Sequence, residues 1–284
     1  MIVAEKLLAY PIPEIRQVLR WQDVALYNLS IGLGQDPMDK RQLPFTYEAG
    51  LQAMPSMAVV LGYPGFWVKA PETGVDWVKV VHGEQSLILH KPLPASGEVI
   101  GTSRVTGIVD RGAGKGAMIY SERVVRDAAT GEKLATLEMT TFARGDGAFG
   151  GASGPVKPPH PAAQGTPDLT LDLPTRPEQA AYYRLNGDFN PLHIDPDVAM
   201  AAGFPRPILH GLCTFGVVCH ALMRELCEYD PKRFGRMDLR FSSPVFPGET
   251  IRTEIWHRPG GAAFSARVVE RDIAVVSNGA FSFS

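Results

Sequence analysis

Residues 182–216 read YYRLNGDFNPLHIDPDVAMAAGFPRPILHGLCTFG and place a carboxylate, an amide and an imidazole close together, as Asp188, Asn190 and His193. Gly187-Asp188 and Asn190-Pro191 are turn-forming pairs, so the three fall on a tight, ordered loop rather than a helix. Such a set suits acid/base work on one water molecule. The amide orients without titrating, whereas a carboxylate and an imidazole exchange protons near neutral pH. After the loop, Asp195 can cap a short helix with Pro196 at its first position and Asp197 in its first turn, running through Val198 to Ala202 and stopping at Gly203 and Pro205. His210-Gly211 then opens a long apolar helix, 210–228. A glycine at that start leaves backbone N–H donors uncovered at the positive end of the helix dipole, a ready site for a developing oxyanion. The same residue types also serve structure alone, since Asp and Asn close Asx turns and a loop His often only bonds the backbone.

Other chemical signatures fail. GLGQDP (32–37) has no third glycine and no preceding strand, so it is no dinucleotide fingerprint. RGAGKGA (111–117) lacks phosphate-loop spacing and reads as a hairpin turn between strands. No Gly-x-Ser-x-Gly elbow occurs, and no His pair has helical metal spacing, so neither a serine hydrolase nor a metal site is expected. Cys213, Cys219 and Cys227 form no CxxC pair and read as buried thiols of a reducing cytoplasm. With 28 basic against 30 acidic residues, nucleic acid is not expected as a partner. No signal peptide is visible, and the terminal SFS is not a peroxisomal SKL-type address. The longest apolar stretch, Leu209 to Met223, is interrupted by His210, Thr214 and His220 and falls short of the roughly 18 residues that span a bilayer.

The elements that must hold the loop come as a repeat. Residues 146–177 are dense in Gly, Ala and Pro and read as an extended connector. The organisation expected is a first domain over 1–150, a linker over 151–177 and a second domain over 178–284. KPLPASGEVI (91–100) and IYSERVVRD (119–127) in the first half find their like, in the same order, in SPVFPGETI (243–251) and FSARVVERD (264–272). Matching order argues for a duplicated unit. Each half begins with an apolar segment read as a helix, 45–62 and 210–228. Strand-like runs follow at 86–93, 98–109, 116–125 and 133–143, then at 237–245, 250–258, 263–271 and 273–283. One buried helix followed by antiparallel strands predicts an α+β layout, a sheet curled round a helix, present twice and paired edge to edge.

YRLNGDFNPLHIDP (183–196) and GFPRPILHGLCTFG (203–216) resemble the signature segments of the hydratase 2 family, also called MaoC-like dehydratases, whose loop usually reads Ser-Gly-Asp-x-Asn-Pro-Leu-His. YNLSIGLGQDP (27–37), FTYE (45–48) and HGEQSLILHKPLP (82–94) extend the likeness to the two-domain members, over most of the chain. Asn186 departs from the family's Ser and is expected to tune activity rather than abolish it. The resemblance implies a double hot dog fold and reversible hydration of trans-2-enoyl-CoA to (3R)-3-hydroxyacyl-CoA without metal or redox cofactor. It implies Asp188 and His193 as catalytic pair, Asn190 as assistant, and Gly211 as donor to the thioester oxygen. His82, Gly83, Arg111 and Phe241 match positions touching the CoA ester, and Gly187, Phe189, Pro191 and Leu192 frame the same substrate loop. Arg111 also suits CoA phosphates as a cation at a strand-end turn, although a surface Arg with no ligand is the plainer reading. The first half lacks the loop, so it is expected to house the acyl tail, the more so if Met54-Pro55-Ser56 breaks its helix. A hot dog thioesterase and a non-catalytic acyl-CoA-binding subunit are the rival functions, and both a monomer and a homodimer stay open.

Overall fold

The computed structural model describes residues 1–284. In chain order the elements are α1 (Ala4–Leu8), β1 (Ile15–Leu19), α2 (Trp21–Ser30), α3 (Leu43–Thr46), β2 (Val80–Leu89), β3 (Gly97–Asp110), β4 (Ala117–Asp127), β5 (Lys133–Ala143), β6 (Leu169–Pro174), α4 (Gln179–Tyr183), α5 (Pro196–Ala201), α6 (Gly211–Glu225), β7 (Phe234–Phe241), β8 (Thr250–Arg258), β9 (Gly261–Val268) and β10 (Ile273–Phe283). The strands join into a single ten-stranded sheet in the order β1-β3-β4-β5-β2-β7-β10-β9-β8-β6. That order reads the same from either end once β1 to β5 are matched with β6 to β10. The fold is therefore the α+β double hot dog, and the duplication lies in its topology.

The halves meet at β2 and β7, antiparallel from Glu84 opposite Arg240 to Ile88 opposite Arg236. Polar groups lace this seam. Ser86 donates to Asp238, whose carboxylate takes the Arg236 guanidinium at 2.6 and 2.7 Å, and Arg236 reaches on to Glu138 at 3.1 Å. Inside, one cluster of 47 buried residues spans both halves, so the two expected domains share a core as well as a sheet. One chain completes both. No helix is long and apolar enough to cross a membrane.

Two expectations are corrected. The segment 45–62 is not a helix. It holds the end of α3, irregular chain, and a short 3-10 turn over Pro55–Val60. Pro55 has no N–H to give and keeps Met54 extended at φ −64° and ψ 138°, while Gly50 turns the chain at φ +79°. The fully buried Asn28 supplies what a helix would have supplied. Its Nδ2 donates to the carbonyls of Phe45 and Gln52, both at 2.8 Å, and its Oδ1 accepts from the Met54 N–H at 3.1 Å. The linker also ends sooner than expected. Leu169–Pro174 forms β6 along the edge of β8, where Leu169, Leu171 and Leu173 alternate with polar residues and Asp172 grips Arg252 through two 2.7 Å bonds.

The second half holds the long helix. α6 is buried from Cys213 to Met223. It lies so close to α2 that a Cβ on Gly216 would come within 2.4 Å of Ile31, which fixes its position against the first half.

Candidate active site

The loop before α6 is built from local turns. Gly187, at φ +111°, ends the 3-10 turn Arg184–Asn186. Asp188 Oδ1 accepts from the Asn190 N–H at 3.2 Å, and Asn190 Oδ1 accepts from the Leu192 N–H at 3.1 Å, capping a second 3-10 turn over Pro191–His193. Asp195 caps α5 through its bond from the Asp197 N–H at 2.9 Å, as the sequence predicts. Asn186, the departure from the family pattern, ties the loop to the first half by donating to Ser30 Oγ at 3.0 Å.

These turns deliver His193 to the buried start of α6. Its Nδ1 lies 2.9 Å from the Ile208 carbonyl oxygen. A carbonyl only accepts, so Nδ1 carries the proton and Nε2 is left as a bare base. His210 Nε2 in turn donates to the Asp188 carbonyl oxygen at 3.2 Å, leaving a buried Nδ1 with no partner in the chain. The two imidazoles stack with centroids 3.8 Å apart, and Tyr183 stands 5.0 Å from His210. Burial lowers the His193 pKa, partly opposed by its bond to Ile208 and by the Asp188 charge, so the ring is neutral at pH 7. Burial and the adjoining His193 push His210 down to about 4. Side-chain donor atoms of Asp188, His193 and His210 all lie within 4.8 Å of one another, a spacing that accommodates a water or a metal ion. The absence of helical His spacing hid this trio in the sequence.

Opposite them is the helix start. His210 caps α6 with extended backbone and no side-chain bond, and the N–H groups of Gly211 and Leu212 make no hydrogen bond within the chain. A Cβ on Gly211 would meet only the Phe241 ring, at an ordinary 3.6 Å, so packing does not require the glycine. Phe241 in turn takes the edge of the His82 ring at 4.9 Å, and burial holds His82 down to about 4. Gly83 sits in the bulge that separates His82 from Glu84 along β2.

The structure thus gathers Asp188, His193, Gly211, His82 and Phe241 and leaves others at the margin. Asn190 is exposed and its oxygen is spent on the cap, although its Nδ2 is free. Gly187 and Pro191 are exposed, Leu192 is half-buried, and Phe189 is 61% exposed beneath the Arg184 guanidinium. Arg111 is exposed in the β3–β4 turn with no side-chain bond. That turn lies at the His82 end of the sheet, because Asp110 pairs Ala117, Ala117 pairs Ala143 and Ala143 pairs Val80. A groove of about 650 Å³ runs between linker residues 154–158 and strands β2 to β5 of the first half, and none of Asp188, His193 and His210 lines it. His210 and Tyr183 adjoin the site without having been expected there. Only His210, next to Gly211, left a signal in the sequence.

The MaoC like domain matches residues 160–278, and the MFE-2 hydratase 2 N-terminal domain matches residues 19–145. The protein named enoyl-CoA hydratase 2, peroxisomal, of Arabidopsis thaliana is 36% identical over 96% of this chain and 93% of its own length. The enoyl-CoA hydratase ChsH3 of Mycobacterium tuberculosis is 39% identical, with 90% of each chain covered. Among solved structures, a MaoC-like dehydratase from Phytophthora capsici superposes with a TM-score of 0.85 at 32% identity, covering 99% of this chain and 98% of that one. The chain belongs to the MaoC-like, hydratase 2 family.

Proposed function

We propose that this chain is an R-specific enoyl-CoA hydratase of the hydratase 2 type, adding water reversibly to trans-2-enoyl-CoA to give (3R)-3-hydroxyacyl-CoA. One observation carries the reading: side-chain ligand atoms of Asp188, His193 and His210 gather within 4.8 Å of one another, with His193 Nε2 left bare by the bond to Ile208, at the start of α6 where two backbone N–H groups are unused. With the thioester carbonyl against the Gly211 N–H, electron density moves toward that oxygen and Cβ becomes electrophilic. Water held between Asp188 and His193 gives a proton to Nε2 while its oxygen bonds to Cβ. The proton then passes from His193 Nε2 by way of the Asp188 carboxylate to Cα of the enolate, the carbonyl reforms, and both side chains return to their starting states. Asn190 Nδ2 assists by orienting that water. If one water supplies both atoms, the addition is syn. His193 is the general base in this scheme.

Arg111, at the open end near His82, is the cation for the CoA phosphates, and His82, Gly83 and Phe241 line the ester with the residues framing Asp188. The three buried free cysteines suit a reducing compartment such as the cytoplasm. The sheet and the site are completed by one chain, so a homodimer would add to the assembly without being needed for either.

The test is a paired assay on trans-2-enoyl-CoA. Loss of enoyl absorbance without release of free CoA thiol is the expected result, and a chelator leaves the rate unchanged. Thiol release would identify a thioesterase, and no change in either signal would identify a binding subunit.

A further inference from the structure

Arg123 is a half-buried charged side chain of the first half with no counter-ion. It lies on β4 in the row that turns Ile119, Ser121 and Val125 inward. Its guanidinium stands 5.2 Å from the centre of the Tyr63 ring and donates to the carbonyl of Val59, in the 3-10 turn that replaces the expected helix. Its Nε is enclosed and has no partner. The groups that favour its charge are the Tyr63 and Tyr183 phenols, and burial still pulls it down to about 10. Tyr63, Tyr183 and His82 each feel both this cation and Asp188, so the guanidinium belongs to the same interior as the active site.

Register gives its depth. His82 pairs Thr141 and Thr141 pairs Ile119, whereas Arg123 pairs Leu137 and Leu137 pairs Leu87. Arg123 is four residues beyond Ile119 on β4, about 13 Å further along the sheet at ~3.3 Å per residue. That direction leads away from the Arg111 turn, so a thioester held at Gly211 with its CoA toward Arg111 extends its acyl chain toward Arg123. A wall meant only for alkyl groups gains nothing from a guanidinium, and an enclosed N–H left unpaired is costly.

We propose that Arg123 is a specificity-determining residue whose guanidinium, through the Nη1 group that is neither bonded nor enclosed, binds an oxygen acceptor on the distal part of the acyl chain, so that oxygen-bearing enoyl thioesters are preferred over plain alkyl ones. This rests on the hydratase reading above. A hydrogen bond from a charged donor makes the preference about 10- to 100-fold.

The experiment compares kcat/KM for trans-2-enoyl-CoA esters of matched length ending in methyl, hydroxyl or carboxylate, in the wild type and in Arg123→Gln. Binding of the corresponding saturated acyl-CoA esters, which cannot be hydrated, is measured alongside. The expected result is a wild-type preference of tenfold or more for an oxygenated ester, with the ratio to the methyl ester falling at least tenfold in Arg123→Gln. Preference for the carboxylate alone identifies an anion site, and equal preference for the hydroxyl identifies a general acceptor site. Absence of a preference in the wild type, or losses equal on all three esters, overturns the proposal, the latter showing that Arg123 only braces Val59 and Tyr63. Hydration without the preference removes this inference alone. An Arg123-dependent binding preference without any hydration removes the hydratase reading alone.

Discussion

In the second half, β6 to β10 curve round α6, an unbroken helix that starts at His210, beside Asp188 and His193. In the first half, β1 to β5 repeat the same strand order round a chain that has only α3 and a 3-10 turn where a long helix would lie. Asn28 satisfies the backbone there, and Arg123, on the inward row of β4, lies over the Tyr63 ring. The sheet is symmetric and its contents are not. Strand pairing follows from backbone bonds and a two-residue alternation, which tolerate divergence inside the curve. In the mechanism proposed above the oxyanion donors come from one helix start, which only one half needs to keep, and the other half is left to hold the acyl chain.

The largest effects belong to the second half. Asp188→Asn and His193→Ala are each expected to lower kcat by about 10²- to 10⁴-fold with an unchanged circular dichroism spectrum, since positioned proton transfer contributes on that scale. His82→Ala, from the first half, is expected to cost less than about tenfold, because His82 borders the ester beside Phe241 and moves no proton in the proposed steps. Near-equal losses in both halves would erase the asymmetry. Next comes Gly211. Its site is free of clashes, so Gly211→Ala is expected to hold or raise the melting temperature, as alanine favours helix more than glycine. The same change puts a methyl where the thioester oxygen must approach. A loss of about 10- to 100-fold in kcat/KM, greater for Gly211→Val, is expected, within the range for impairing one oxyanion donor. Activity retained in Gly211→Val would place the oxyanion elsewhere.

Most of the strand frame and the reacting loop were legible in the sequence. The runs 133–143, 250–258 and 273–283 match β5, β8 and β10 residue for residue, because alternation and turn residues mark both ends. Asp188, His193 and Gly211 stand within one continuous stretch, so their proximity is largely local. The expected helix at 45–62 misled because its apolar content suits any buried chain, and Pro55 and the tie to Asn28 outweigh it. β6 was hidden by the proline-rich composition around it, although Leu169, Leu171 and Leu173 alternate correctly. The trio with His210 and the placement of Arg123 depend on stacking and register between distant segments, which spacing along the chain does not encode.

Asn28→Ala tests the frame of the first half. It removes three buried hydrogen bonds and leaves the carbonyls of Phe45 and Gln52 and the Met54 N–H unpaired. About 3 kcal/mol of stability is expected to go, at about 1 kcal/mol per bond. The melting temperature should fall by roughly 6–12 °C. α6 has no such dependence, its backbone being satisfied by the helix itself. A fall of only a degree or two would show that the irregular chain is held by packing instead.

The smallest effect is the pH dependence of stability, and it too divides the halves. His210 and His220, on the second side, and His82, on the first, are each held near 4 by burial, below the ordinary imidazole value of 6.5. Between those values the unfolded chain binds more protons than the folded one, so stability falls as the medium is acidified. It is complete above about pH 6.5 and declines from there to about pH 4, where these groups stop contributing. A melting temperature several degrees lower at pH 5 than at pH 7.5 is expected. His220 lies away from the site, bonded to the Tyr229 hydroxyl at 2.8 Å, so His220→Gln removes one of these groups without touching the chemistry. Its melting temperature should change less between the two pH values than that of the wild type, while the acid limb of kcat/KM stays where the neutral His193 sets it, below pH 6.5. An unchanged slope in that variant would assign the acid sensitivity to the His193–His210 stack or to His82, and comparison with His82→Gln would then show which half carries it.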